Sequence, residues 1–235
     1  MLRPPASASL AWADRLGHFG LRVFEQVLRI VDTLVVFIAP RTRPALVVAW
    51  VRRNEESYRT GSGVRRRGRH ELTYSATPVL MAAYILWRTG LSHEGSLLDV
   101  GAGQGSVLLA GRLLGAEARG VELVESQVEA VRRIVGRIGA TIEVGDGEGE
   151  DLFGVTHIFC AWSAFSKQAR VRLSRDWHRA APGTRILVLT HPLEDEAFQW
   201  ERTMTIALPR GFDRVHVYMR RSEERSESLS QNAEG

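Results

Sequence analysis

Asp99-Val100-Gly101-Ala102-Gly103-Gln104-Gly105 sets an acid two positions ahead of three glycines at alternating places. Glycine lets a backbone turn tightly and approach a ligand that a Cβ would push away. Here the turn lies between a short apolar run, Leu97-Leu98 and Val100, and a helical pattern from Val107 to Leu114. A strand that feeds a helix through such a loop is a nucleotide-binding arrangement. The G-x-G-x-G spacing differs from G-x-G-x-x-G, whose glycines serve turn, pyrophosphate and helix packing. A second acid, Glu122, lies 23 residues beyond Asp99, near the end of the apolar segment Ala118–Leu123. A carboxylate at the carboxyl end of a strand can accept both hydroxyls of a ribose. Asp146, Trp162 and His191 each follow a further apolar segment. His191 is a candidate base, because a free imidazole titrates near neutrality, although a structural histidine before Pro192 fits as well. Trp162 and Phe165 offer either an apolar or cation-binding wall for a substrate, or simple packing at a sheet end.

The elements that must hold these residues follow from periodicity. Short apolar runs at 96–100, 118–123, 141–144, 156–162 and 185–190 alternate with helical patterns at 107–114, 125–138 and 166–181. Such alternation calls for an α/β fold: a parallel sheet with helices on both faces. Ligands of such sheets sit at the carboxyl ends of the strands, where Gly101, Glu122, Asp146, Trp162 and His191 all fall. Ahead of the first strand, Pro78 after Thr77 begins a helix that runs to Thr89 and closes at Gly90, with Thr77 as its expected N-cap.

Composition sets the bounds. With 235 residues, 44% of them apolar, the chain can bury a full core, which suits one domain and an appendage. Cys160 is its one cysteine, so neither an intramolecular disulfide nor a cysteine-rich metal site is available; a reducing, cytoplasmic setting is expected. No metal-ligand spacing stands out among the seven histidines. The net charge of +4 is uneven: residues 1–70 hold 13 arginines and 5 acids (+8), and residues 71–235 hold 18 bases and 22 acids (−4). Met1 to Pro5 and the small residues after it do not read as a secretory leader. The longest apolar run, 34–40, is too short to span a bilayer.

Asp99 to Gly105 resembles the first motif of class I S-adenosylmethionine-dependent methyltransferases. The resemblance implies a Rossmann-like, mostly parallel seven-stranded sheet, with the last two strands supplied by 203–208 and 214–220. It also implies S-adenosylmethionine as cofactor. Asp99, Gly101, Gly103 and Gly105 would then lie against its methionine portion and ribose, and Glu122 would take the ribose hydroxyls. Asp146 would take the adenine amino group, with Glu148 or Asp151 as the other acids of that bend. The segment Tyr74-Ser75-Ala76-Thr77-Pro78 would lie over the cofactor, which makes Thr77 a cofactor contact and Tyr74 a residue of the catalytic face beside Trp162 and His191. Over about 71–193 the chain is loosely similar to the non-SET histone-lysine methyltransferases (disruptor of telomeric silencing type) and related protein-lysine enzymes. Where that branch carries asparagines, this chain has Ala161-Trp162-Ser163, so the amides that would orient a lysine amine are absent.

The expected organisation is an N-terminal helical extension (1–58), a basic linker (59–70), a catalytic domain (71–221) and a polar tail (222–235). Residues 10–51 carry an amphipathic pattern that suits a lid, a dimer contact or a membrane-surface element. The linker has five arginines in twelve residues but little aromatic interleaving, so a nucleic-acid surface is not expected. The function expected is methyl transfer to a nucleophilic nitrogen or oxygen of an acceptor that the sequence does not identify, with a protein side chain among the candidates. The alternatives are a small or lipid-like metabolite as acceptor, and a non-catalytic cofactor-binding or adaptor protein.

Overall fold

The structure is a computed structural model that describes residues 77–208 and 211–222. The N-terminal extension with residues 10–51, the basic linker, Tyr74 and the tail beyond 222 lie outside the described residues. Seven strands, β1 Ser96–Val100, β2 Glu117–Glu122, β3 Thr141–Val144, β4 His157–Cys160, β5 Arg185–Leu189, β6 Phe198–Leu208 and β7 Gly211–Arg220, form one sheet of order β3-β2-β1-β4-β5-β7-β6. The first five are parallel, and β7 runs antiparallel between β5 and β6. From β1 the connections go outward through β2 and β3, then return to β4 on the other side. That reversal opens a crevice above the carboxyl ends of β1 and β4, the place where open α/β sheets bind ligands.

Strand alternation sends side chains to two separate cores. Leu97, Ala118, Ile142, Phe159 and Leu187 face one layer, with α1 Val79–Arg88, α2 Ser106–Leu113 and α3 Glu125–Arg137. Leu98, Val100, Val121, Ile158, Cys160 and Ile186 face the other, with α4 Lys167–Asp176 and Trp177. Burial on both faces is why the central strands read as unbroken apolar runs. Asp99 interrupts β1 on the face that Leu97 shares. No helix among the described residues is long and apolar enough to cross a membrane.

Three elements differ from expectation. Helix α1 begins at Val79; Pro78 occupies the cap position with extended ψ, so Thr77 lies one residue too early to cap it and is instead buried. The helix expected over 166–181 ends at Asp176 and tightens to a 3-10 turn over Trp177–Arg179, which puts the Trp177 indole into the core. Strand β6 starts five residues before the expected 203, with a register shift between Trp200 and Arg202. Its early residues Gln199, Glu201 and Arg202 hid it, as suits an edge strand that meets water on one side.

The loop after β3 returns beneath the crevice at Gly147, which has φ +84°. A Cβ there would lie 2.5 Å from Val100 Cγ1. Gly147→Ala is therefore expected to cost about 3 kcal/mol, from left-handed backbone strain and overpacking together. In thermal denaturation this reads as a fall of roughly 6–12 °C in Tm. Gly149→Ala is the control, because Gly149 has φ +75° but nothing within 4 Å. Equal losses in the two variants would refute the packing account.

Candidate active site

The glycine loop leaves β1 at its carboxyl end. Gly101, Gly103 and Gly105 have φ of +80°, +50° and +77°. Both Gly101 N–H and Ala102 N–H donate to the Val121 carbonyl at 2.9 Å, which staples the turn to β2. A Cβ at Gly101 would come within 3.1 Å of the Phe165 ring, so the glycine admits that ring directly onto the loop. Gly105 sits at the N-cap of α2, and its N–H donates back to Ala102 at 2.8 Å.

Glu122 ends β2 beside this loop. Its Oε2 accepts from Gly103 N–H and its Oε1 from Val124 N–H, both at 2.9 Å, and its side chain is buried. A carboxylate has about four lone-pair sites. Two are taken here, and each oxygen keeps one for a ligand. Leu123, the next residue, is 70% exposed, and Val144 at the end of the neighbouring β3 is also exposed. Each leaves apolar surface in solvent near a strand-end acid, the kind of surface a flat ring can cover. Neither stands out in the sequence by its spacing or type. The available signal was an apolar residue directly after a strand-end acid.

Three acids compete at the end of β3. Glu148 forms an ion pair with Arg172. Asp151 Oδ1 accepts from Phe153 N–H at 2.9 Å and so caps its own turn. Asp146 is exposed and accepts from Glu148 N–H at 3.1 Å through Oδ1. Asp99, beneath the loop, is buried, and its Oδ2 has no hydrogen-bond partner. Burial first, and then the charge of Glu122, push its carboxyl up to about 8.

The opposite wall differs from expectation. Trp162 was expected at the acceptor, yet only 3% of it is exposed. It begins the 3-10 turn 162–164, which carries the indole back into the core against Trp177, with ring centroids 5.7 Å apart. It therefore offers no wall to a substrate; Phe165, over Gly101, is the aromatic side chain at the loop. The Arg170 guanidinium lies over the Trp162 ring, 5.9 Å from its centroid.

His191 is exposed just beyond β5, and the backbone before it is unusual. Thr190 has φ +78°, the one positive φ outside glycine among the described residues. His191 N–H donates across it to the Leu189 carbonyl at 3.0 Å, which closes a γ-turn. A β-branched residue rarely adopts this conformation. Two bonds to β7 hold it: Thr190 N–H to the Arg214 carbonyl, and Thr190 Oγ1 to Asp213 Oδ2, both at 2.9 Å. His216 also hydrogen-bonds the Thr190 backbone. Burial, and then the Arg170 guanidinium, hold the His191 imidazole below the ordinary histidine range, while Asp213 pulls the other way. The result is an uncharged imidazole at neutral pH.

The structure thus gathers Asp99, Gly101, Gly103, Gly105 and Glu122 at one crevice, with Asp146 and His191 at neighbouring strand ends and Thr77 at the start of α1. A buried acid without a partner among the described residues, free lone pairs on Glu122 and exposed apolar side chains at the neighbouring strand ends fit a ligand that has a cationic part, a diol and a flat ring. The sequence matches no family model. No curated protein matches it either. Solved structures do share its architecture. An RNA methyltransferase from Salinibacter ruber, in complex with S-adenosyl-L-homocysteine, is 21% identical over 63% of this chain and 95% of its own, with a TM-score of 0.54. A geranyl diphosphate methyltransferase in complex with its cofactor is 14% identical over 62% and 86%, with a TM-score of 0.51. A TehB-like S-adenosylmethionine-dependent methyltransferase from Corynebacterium glutamicum is 13% identical over 72% and 97%, also at 0.51. The described residues have the Rossmann-like α/β fold that these methyltransferases share.

Proposed function

We propose that the chain is an S-adenosylmethionine-dependent methyltransferase. The observation that carries this reading is Glu122: a buried carboxylate at the end of β2, held by two backbone N–H groups, one of them from the glycine loop, with one lone pair left on each oxygen. That is the equipment for a ribose diol. In this reading Leu123 supports the adenine ring, Asp146 accepts from its amino group, Gly101 to Gly105 line the methionine portion, and Thr77 closes the site from the α1 side. S-adenosylmethionine supplies a methyl group already activated by a sulfonium. The protein has to hold donor and acceptor in line and to remove a proton where the acceptor carries one. His191, fixed by the γ-turn and kept uncharged, is the proposed base.

The acceptor is a nitrogen or oxygen nucleophile. A protein side chain is the first class to test, on the loose resemblance of residues 71–193 to protein-lysine methyltransferases, although the asparagines of that branch are replaced here by Ala161-Trp162-Ser163. The geranyl diphosphate enzyme of the same fold keeps lipid-like metabolites as the second. Isothermal titration calorimetry with S-adenosylmethionine is expected to show one site per chain, and radiolabelled donor incubated with lysate is expected to label either the protein or the small-molecule fraction. Binding without any labelled product would leave a cofactor-binding adaptor. An absence of binding would end the proposal.

A further inference from the structure

Within that reading, on which the following inference rests, Asp99 has no charge partner among the described residues. It is 2% exposed, and its Oδ2 is buried without a hydrogen-bond partner. A buried carboxylate is ordinarily matched by a cation or by backbone N–H donors. Four of the nearby loop amides are committed elsewhere: Gly101 and Ala102 to Val121, Gly103 to Glu122, and Gly105 to Ala102. The ionisable groups that act on Asp99 from the packed elements are Glu122 on β2 and, across β4, the Cys160 thiol. The first is acidic, and burial together with Asp99 itself keeps the thiol protonated. Among the described residues no cation raises or lowers the Asp99 carboxyl. Two acids thus share one buried place next to a loop built to receive a ligand, and the described residues supply hydrogen-bond partners to only one of them. Like charges so placed do not both stay ionised.

We propose that Asp99 is the charge-compensating residue of this site: it holds a proton while the site contains no cation, and releases it to solvent when a positively charged methyl donor binds. The O–H bond of the carboxylic acid breaks, the proton passes to buffer, and the carboxylate that remains faces the ligand's positive charge. S-adenosylmethionine carries a sulfonium and an ammonium; S-adenosylhomocysteine carries the ammonium alone. The site then grips the donor with a charge that the demethylated product calls up more weakly. Burial, and then the charge of Glu122, push the carboxyl of the free site up to about 8.

Two measurements on the full chain test it. The first follows the side-chain carboxyl of Asp99 by 13C NMR in the ligand-free protein, assigned by its loss in Asp99→Asn. A titration near 8 is expected, moving to well below neutrality with saturating S-adenosylmethionine. The second is calorimetry at pH 7 in phosphate and in Tris, whose ionisation enthalpies differ. Wild type is expected to release nearly one more proton per donor bound than Asp99→Asn, and its affinity is expected to rise up to tenfold per pH unit between 6 and 8 relative to that variant. The amine of the ligand contributes equally to both proteins, so the difference belongs to Asp99. S-adenosylhomocysteine is expected to release fewer protons than the donor. An Asp99 carboxyl that titrates near 4 in the free protein, or equal proton release in the two proteins, overturns the proposal. Should Asp99→Asn fail to bind, the NMR titration of wild type decides alone. If neither ligand binds wild type, the methyltransferase reading fails, and the titration of the free protein still stands as a separate result.

Discussion

Glu122→Ala is expected to weaken S-adenosylmethionine binding by at least ~100-fold. A hydrogen bond to a charged group contributes about 1.5–3 kcal/mol, and Glu122 has a lone pair for each of two ribose hydroxyls. The variant also leaves Gly103 N–H and Val124 N–H without acceptors, which adds a stability loss of roughly 2–4 kcal/mol. Calorimetry well below the melting transition, with circular dichroism to confirm the fold, separates the two effects. Glu122→Gln gives a finer test. Its one carbonyl oxygen can serve one of the two amides, while its NH2 confronts the other as donor against donor. Loop and ligand should suffer together. A folded Glu122→Ala that binds the donor as tightly as wild type would remove the central support of the proposed function.

His191→Ala is expected to lower kcat by about 100-fold or more on whichever acceptor becomes labelled, in line with the loss of a general base. Donor affinity should stay unchanged, because His191 lies beyond β5 and Glu122 at the end of β2. The pH dependence carries a sign that can be checked. Arg170 disfavours the imidazolium and Asp213 favours it. The acid limb of kcat/KM should therefore lie below the ordinary histidine value near 6.5 in wild type. It should move up in Arg170→Gln and down in Asp213→Asn. Asparagine can still accept the Thr190 hydroxyl, so the second variant alters charge with little change to the γ-turn. An acid limb that stays put in both variants, or persists in His191→Ala, would rule out His191 as the base.

The parts of the molecule legible in the sequence are those where one residue type meets one requirement. Leu97-Leu98 and Ile186-Leu187-Val188 face two cores at once, so they read as buried parallel strands. Gly101 needs a positive φ and room for Phe165. Glu122 stands out because an acid seldom ends an apolar strand without a task. What escaped notice depends on contacts distant in sequence. Trp162 has the same local pattern whether it lines a cleft or turns inward, and Trp177, fifteen residues on, decides which. The strain at Thr190 is invisible in Leu-Thr-His-Pro, because it is imposed by Asp213 and Arg214 from β7. Strand β6 shows one polar face along its early residues and so hid its true start.

The place of Arg170 links the buried indoles of Trp162 and Trp177 to the exposed His191. Its guanidinium rests on the Trp162 ring, which rests on Trp177 in the interior, and the same guanidinium biases the charge of His191. Side chains on such a line act as one energetic unit, so their substitutions are not additive. A change at Trp177 that spares the fold would therefore be felt as altered acid–base behaviour at the surface, from a residue no substrate ever meets.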